Sequence, residues 1–279
     1  MENSIIYNLP DSSIRFHYIL DAPSSTHSKY PTEAHEQYEI MLIKKGTVHI
    51  YIDGDLFVAY PGDMILIDFH EFHYIDVDRE NGYERYVVHF NKNIFPLSMD
   101  GARDFVNFFT NSKLRNSSII DRSIVEKYKI EQYFVNIAQA ASSSSKFVAV
   151  TVLSNLLLLL VEINHLFDSE NFQVERLVHK DVLVKRIINY IDKNLAGDLS
   201  LDVIASKFYS SKYYLCHVFK ESTNVSIKQF IVTKRVLKAA SFIDSGMNVM
   251  DACYAVGFNN YSTFYLSFKK IKGYCPMHI

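Results

Sequence analysis

The chain is poor in cysteine, has no leader-like start, and contains no unbroken apolar stretch of membrane-spanning length. Its three cysteines, Cys216, Cys253 and Cys275, are an odd number without a CxxC spacing. That excludes a disulfide framework or a zinc-finger ligand set, and it fits a reducing interior, the cytoplasm. The start, MENSIIYNLP, lacks the basic segment and following apolar segment of a secretory signal. The most apolar run, FVAVTVLSNLLLLLVEI (147–163), is interrupted by Thr151, Ser154 and Asn155 and closed by Glu162. It therefore reads as a buried helix rather than a bilayer span. With 48% hydrophobic and 22% charged residues over 279 positions, the composition is that of a folded soluble protein of two ordinary domains.

Acidic residues are also scarce in one place. Residues 182–279 carry 13 Lys+Arg against 6 Asp+Glu, a balance of +7, whereas the first 181 residues hold 16 against 25, a balance of −9. Such segregation marks a module that meets a polyanion, joined to one that does not. Only two of the 13 cations are arginines, Arg186 and Arg235.

What is present divides at the same place. From Tyr30 to about Phe90, segments such as YEIMLIKK, TVHIYID, DMILID and RYVVHF are rich in β-branched and aromatic residues, and Asp53-Gly54 and Pro61-Gly62 punctuate them. Their close spacing predicts an antiparallel sandwich or barrel. From Asp100 to Phe167 the pattern is helical. DRSIVEKYKIEQYFVNIAQAA opens on an acidic cap and predicts a helix over 121–140, followed by a second over 146–167. The polar stretch 168–181 reads as a linker, and everything after it as helix.

The basic half contains a repeat. SSKYYLCHVFK (210–220) aligns with NNYSTFYLSFK (259–269) at an offset of 49, matching Leu215 with Phe264, Phe219 with Phe268 and Lys220 with Lys269. Each copy follows a short helical segment and a tight turn, the pattern of a helix-turn-helix whose second helix can enter the major groove. Spacing puts Leu201, Ile204, Ala205, Leu215 and Phe219 on an internal face. Ser211, Lys212, Tyr213, Cys216 and His217 fall outward, as do Asn260, Tyr261, Ser262, Tyr265 and Leu266 in the second copy. Together with Lys220, Lys269 and Lys270 these are the candidate DNA-contacting residues, the lysines for phosphates and the rest for base edges.

These last hundred residues resemble the DNA-binding domain of the AraC/XylS transcription regulators. The likeness rests on LSLDVIASKFYSSKYYLCHVFK, on KRVLKAASFI as a connecting helix, and on Gly257-Phe258, Phe264, Phe268-Lys269, Gly273 and Pro276 in the final segment. Tyr209 stands where a turn glycine is common in that family, and Cys253 replaces the usual alanine.

Residues 35–75 likewise resemble the small cupin-like barrel that many of these regulators carry as a sensor, through His35, Glu39, Gly46, Pro61-Gly62-Asp63 and His73. Seven of the 11 histidines precede residue 90. An interior lined by His35, Glu39, His49, Tyr51, His73 and His89 suits one small polar effector, and the family analogy suggests a sugar or other metabolite. Metal-binding cupins carry His-x-His, a Glu and a later His; here Glu33 replaces the first histidine, and the expectation is hydrogen-bonding side chains with no metal or cofactor.

The sequence thus predicts an α+β chain: a cupin-like β-barrel with covering helices for effector binding and dimerisation (1–167), a linker (168–181), and an all-α domain with two helix-turn-helix motifs (182–279). It reads as a ligand-responsive, non-enzymatic regulator whose partners are double-stranded DNA, a small effector and a second copy held through helices in 121–167. The alternative is a metal-dependent cupin enzyme with an accessory helical domain.

Overall fold

Alternation of buried and half-buried side chains sets the first part of the chain as sheet. In Thr47–Ile52 it is Val48, Ile50 and Ile52 that are buried. The computed structural model describes all residues except 1–3, 12, 24–27, 31, 70, 79, 81, 92–93, 96–103, 111–117, 170–176, 181 and 277–279. Contacts divide the chain into two compact units. The first is Met1–Pro31, Glu36–Ile52 and Leu56–His179; the second is Lys180–Ile279 with the short segments Thr32–His35 and Asp53–Asp55.

The described strands form two sheets. One has the order β1 (Ile5–Asn8), β2 (Ile14–Asp21), β9 (Tyr83–Phe90), β4 (Tyr38–Lys45), β7 (Met64–Ile67), β10 (Ile119–Ile120). The other runs β11 (Leu177–Lys180), β6 (Asp55–Ala59), β5 (Thr47–Ile52), β8 (His73–Asp78), β3 (Ser28–Lys29). Because side chains alternate across a strand, the first sheet has two inner faces. Ile14, Phe16, Ile40, Leu42, Met64, Leu66, Val88 and Phe90 join one core with helices α3 (Glu131–Ala141) and α4 (Val148–Ser169). Met41, Ile43, Ile65, Ile67 and Val87 meet Val48, Ile50, Ile52, Ile75 and Val77 of the second sheet in a separate core, the barrel interior.

The sheet starts earlier than Tyr30, where the sequence pattern places it: β1 and β2 precede that point, and β2 pairs with β9 over eight residues. After the short helix α1 (Asn107–Thr110), the single helix expected over 121–140 is two helices, α2 (Arg122–Lys127) and α3, separated where Lys129 takes a left-handed φ of 53°. Asp121 does cap α2, its carboxylate accepting from the Ser123 N–H. Fully buried Asp63 holds this corner together, accepting from the N–H groups of Tyr60 and Arg122, each at 2.9 Å. By length and composition α4 is apolar enough to cross a membrane. It buries Val152, Leu156, Leu159, Leu160, Ile163, Leu166 and Phe167 in the core shared with the sheet and α3. Of the segment 168–181 read as a linker, Asp168 and Ser169 end α4 and 177–180 form β11. The rest lies outside the described residues.

Among its described residues the second unit has six helices: α5 (Val182–Lys193), α6 (Leu201–Lys207), α7 (Lys212–Thr223), α8 (Ile227–Asp244), α9 (Val249–Ala255) and α10 (Tyr261–Lys272). α6 and α7 form one helical pair and α9 and α10 another, with α8 between them in sequence and in contact with both. Val236, Ala239, Ala240 and Ile243 of α8 pack with Ala252, Cys253, Phe258, Phe264 and Phe268. Arg235 ties α8 to the loop before α6 by donating to the carbonyls of Leu195 (2.9 Å) and Gly197 (2.7 Å). Gly257 turns α9 into α10 at φ 91°; a Cβ there would lie 2.8 Å from the Ala196 carbonyl oxygen, so only glycine fits.

Candidate functional site

The repeat read from the sequence is a repeat of local chemistry. α7 and α10 begin and end 49 residues apart, each with 12 residues. Ser211 and Asn260 are N-caps whose side-chain oxygens accept from the N–H groups of Tyr214 and Thr263. Asn224 and Gly273 are left-handed C-caps, at φ 58° and 77°. Leu215, Phe219, Phe264 and Phe268 are buried. The turn before each helix carries a left-handed residue, Tyr209 at φ 50° and Gly257 at φ 91°. In the first copy the chain bears the cost of a non-glycine there.

The opposite faces are open. Lys212, Tyr213, His217 and Lys220 are exposed on α7, with Cys216 half-buried; Ser262, Leu266, Lys269 and Lys270 are exposed on α10. Tyr213 and Leu266 stand out as apolar groups that are 82% and 68% exposed. Tyr261 and Tyr265 are half-buried: the Tyr261 ring lies 6.0 Å from Phe264 and 6.3 Å from Tyr265. The Tyr265 hydroxyl lies 2.9 Å from the Cys275 sulfur. Lys212 pairs with Asp202 and His217 lies 3.7 Å from Glu221. Asn260 is not placed for the two-bond contact with adenine that its position suggests, because its carboxamide oxygen caps α10. Neither arginine points into this face: Arg235 is bound to the loop carbonyls and Arg186 lies over the Phe208 ring at 5.6 Å.

In the first unit, polar side chains gather at one end of the barrel interior. Arg15, His89 and Glu39 form a cross-strand row on β2, β9 and β4. The Glu39 carboxylate, 4% exposed as a residue, has Oε2 at 3.4 Å from Nε2 of both His73 and His89. The His73 Nδ1 lies 3.1 Å from the Glu71 carbonyl oxygen. His35, Glu39 and His89 offer ligand atoms that all lie within 4.8 Å of one another. His17 meets His89 edge-on, ring centroids 6.1 Å apart, and burial, reinforced by the charge of His89, holds its imidazole below the usual histidine range. Arg15 donates to the Gln37 carboxamide oxygen at 3.0 Å. A second polar set follows, in which Arg85 Nη1 and the Tyr30 hydroxyl donate to Asp21 Oδ2 at 3.0 and 2.7 Å, and the Arg85 guanidinium lies 4.1 Å from the Tyr83 ring centre.

Comparison with known proteins assigns both units. Residues 17–126 match the model of the AraC-like ligand binding domain, and residues 204–279 match that of a helix-turn-helix domain. The chain belongs to the AraC family. It is 22% identical over 240 residues to the HTH-type transcriptional regulator YdiP of Escherichia coli K12, covering 85% of this chain and 76% of that one. To the HTH-type regulator YbfI of Bacillus subtilis 168 it is 20% identical over 237 residues, covering 84% and 81%. A regulator from the cgkA 5′ region of Pseudoalteromonas carrageenovora is 30% identical over 109 residues, covering 39% of this chain and 65% of that one. As an AraC-family protein the chain is a ligand-responsive transcription regulator, with an α+β build of a sheet-rich ligand domain followed by a helical DNA-binding domain.

Within this AraC-family ligand domain, His35, Glu39, His73 and His89 come together, whereas His49 and Tyr51 do not join them. Those two occupy the face of β5 opposite Val48, Ile50 and Ile52, and Tyr51 stacks on Tyr74 of β8 at 4.1 Å. The physical reason is that the apolar face of β5 closes the barrel, so its polar face turns away. Arg15, His17, Gln37 and Arg85 were missed by sequence reading. The alternation in IRFHYILD (14–21) is a signal that marks Arg15 and His17 as one face of a strand.

Proposed function

We propose that this regulator reads DNA with both α7 and α10, and that its ligand domain senses a small polar metabolite, a sugar among them, at the His35–Glu39–His73–His89 end of the barrel. The duplicated, similarly capped pair of helices carries the proposal, since each presents exposed apolar groups, Tyr213 and Tyr214 on α7 and Leu266 on α10. Lys212, Lys220, Lys269 and Lys270 neutralise phosphates, while Tyr213, Cys216, His217, Tyr261, Ser262, Tyr265 and Leu266 face base edges. Ser211 and Asn260 fix the helix starts and offer their remaining donors. With both arginines engaged elsewhere, the commonest reader of guanine is absent from this face. The operator is accordingly rich in A·T pairs, with thymine methyl groups against Tyr213 and Leu266.

Phe147, Val150 and Leu158 are exposed at one end and along one side of α4; packing of this face on a second copy makes the regulator a homodimer. It acts in the cytoplasm and performs no catalysis of its own. Selection from random duplexes tests the DNA reading: Leu266→Ala relaxes preference at one or two positions, and Lys269→Ala weakens all sequences about equally. A G·C-dominated consensus for the wild type would overturn it.

A further inference from the structure

The two helix-turn-helix pairs close their first helices with the same backbone bonds but with different residues. After α6 the N–H groups of Tyr209 and Ser210 donate to the carbonyls of Ser206 and Ala205 at 3.2 and 3.0 Å. After α9 those of Gly257 and Phe258 donate to Tyr254 and Cys253 at 3.0 and 3.2 Å. Such a closure holds its first residue in the left-handed region, which suits glycine, and favours an apolar second residue that packs back on the helix. The second pair has both, Gly257 at φ 91° and the buried Phe258. The first pair has neither. Tyr209 takes φ 50° with its Cβ crowded by the backbone, and Ser210 brings no apolar contact. Nothing among the described residues offsets this: the Tyr209 residue is 98% exposed, and its side chain has no hydrogen-bond, ionic or ring partner. A bare tyrosine in a strained turn is a local choice that folding does not explain, and such exceptions collect where a chain meets its ligand.

Tyr209 stands two residues before Ser211, the N-cap of α7. In a docked helix-turn-helix the first helix crosses the sugar–phosphate backbone and the start of the second enters the major groove. The turn that joins them therefore lies at the groove wall, against phosphates. Its surroundings are continuous with the DNA face, since Lys212, Tyr213 and Tyr214 in the first turn of α7 are all exposed. Lys212 is engaged by Asp202, which leaves the Tyr209 hydroxyl as an uncommitted donor at this edge. We propose that Tyr209 is a DNA-contacting residue, its hydroxyl donating to a phosphate oxygen beside the groove that α7 enters and its ring lying on the adjoining deoxyribose. The contact fixes the register of α7 and carries no base preference, as contacts to phosphate and sugar do. Gly257 offers no counterpart, so the two pairs grip the duplex unequally. The inference rests on the reading that α7 enters the duplex.

Tyr209→Gly and Tyr209→Phe, made in the full-length protein, are titrated against the operator that the wild type selects from random duplexes. Glycine relieves the turn, so Tyr209→Gly unfolds in urea at a midpoint no lower than the wild type's. It nevertheless binds the operator about 10-fold more weakly, the loss of one hydrogen bond to a charged group. Tyr209→Phe shows most of that loss. Neither variant changes the selected consensus, and neither changes the slope of log affinity against log salt, because a neutral hydroxyl releases no counterion. Ethylation of one operator phosphate weakens the wild type and leaves Tyr209→Phe unaffected. Wild-type affinity in Tyr209→Gly, or an altered consensus, would overturn the contact. So would unchanged affinity with reduced transcription in vitro, which would assign the side chain to a protein partner. Tyr213→Ala keeps the underlying reading separate. If it loses base preference while Tyr209→Gly binds as the wild type does, the Tyr209 contact alone is wrong; if neither substitution affects binding, the entry of α7 into the duplex is wrong as well.

Discussion

Two residues two positions apart on α10 have opposite fates in this structure. Phe264 is fully buried, with Phe258, Tyr261 and Phe268 ring centres at 5.3, 6.0 and 5.5 Å. Truncating it to alanine empties the centre of the second helical pair and costs about 3 to 5 kcal/mol. Leu266 is 68% exposed, so Leu266→Ala changes stability by no more than about 0.5 kcal/mol. Its cost falls on recognition: losing the contact with one or two methyl groups is about 1 kcal/mol, a discrimination change of about five-fold. Urea unfolding of both full-length variants, with fluorescence anisotropy against the selected operator and single-base variants of it, separates the effects. Phe264→Ala loses its unfolding transition in the second unit and with it tight binding to every duplex. Leu266→Ala keeps the transition and loses preference at one or two positions only. A Leu266→Ala protein destabilised by more than about 1 kcal/mol, or one with unchanged base preference, would refute the assignment of its side chain to the DNA face.

Further outcomes follow from the same geometry. Asp63→Ala leaves the Tyr60 and Arg122 N–H groups without their acceptor and destabilises the first unit by about 2 to 4 kcal/mol, read from its chemical unfolding midpoint. His17 has a folded pKa below its unfolded value, so its contribution to stability is full above about pH 6.5 and is lost as pH falls. Its share of the slope is at most about 1.4 kcal/mol per pH unit, and His17→Gln flattens the stability profile below about pH 6.5. An unaltered profile contradicts the burial of a neutral imidazole. Lys220→Ala lowers the slope of log affinity against log salt by about one without altering the selected consensus.

The DNA-binding half was legible because its determinants are local. An N-cap, an apolar face and a left-handed C-cap lie within 14 residues of one another, from Ser211 to Asn224 and from Asn260 to Gly273, and the second copy confirms the first. Even there, spacing alone could not tell that Asn260 spends its oxygen as a cap, or that Tyr261 leans on Phe264. The barrel end was only half legible. Its polar residues come from β2, β4, β8 and β9, and the pairing of Arg15 with His89 spans 74 positions of chain. Alternation in TVHIYI separates His49 and Tyr51 from Val48, Ile50 and Ile52 but does not say which set faces inward. The apolar set does, because that strand faces Met41, Ile65 and Val87 across the interior.

The central claim is that two recognition helices on one domain both contact DNA. Hydroxyl-radical footprinting of the full-length wild type on its selected operator tests it most directly. Two protected segments per domain, about 34 Å or one helical turn apart on one face of the duplex, are the result this account predicts. Protection of a single segment, unchanged when the exposed residues of α10 are replaced by alanine, would contradict it.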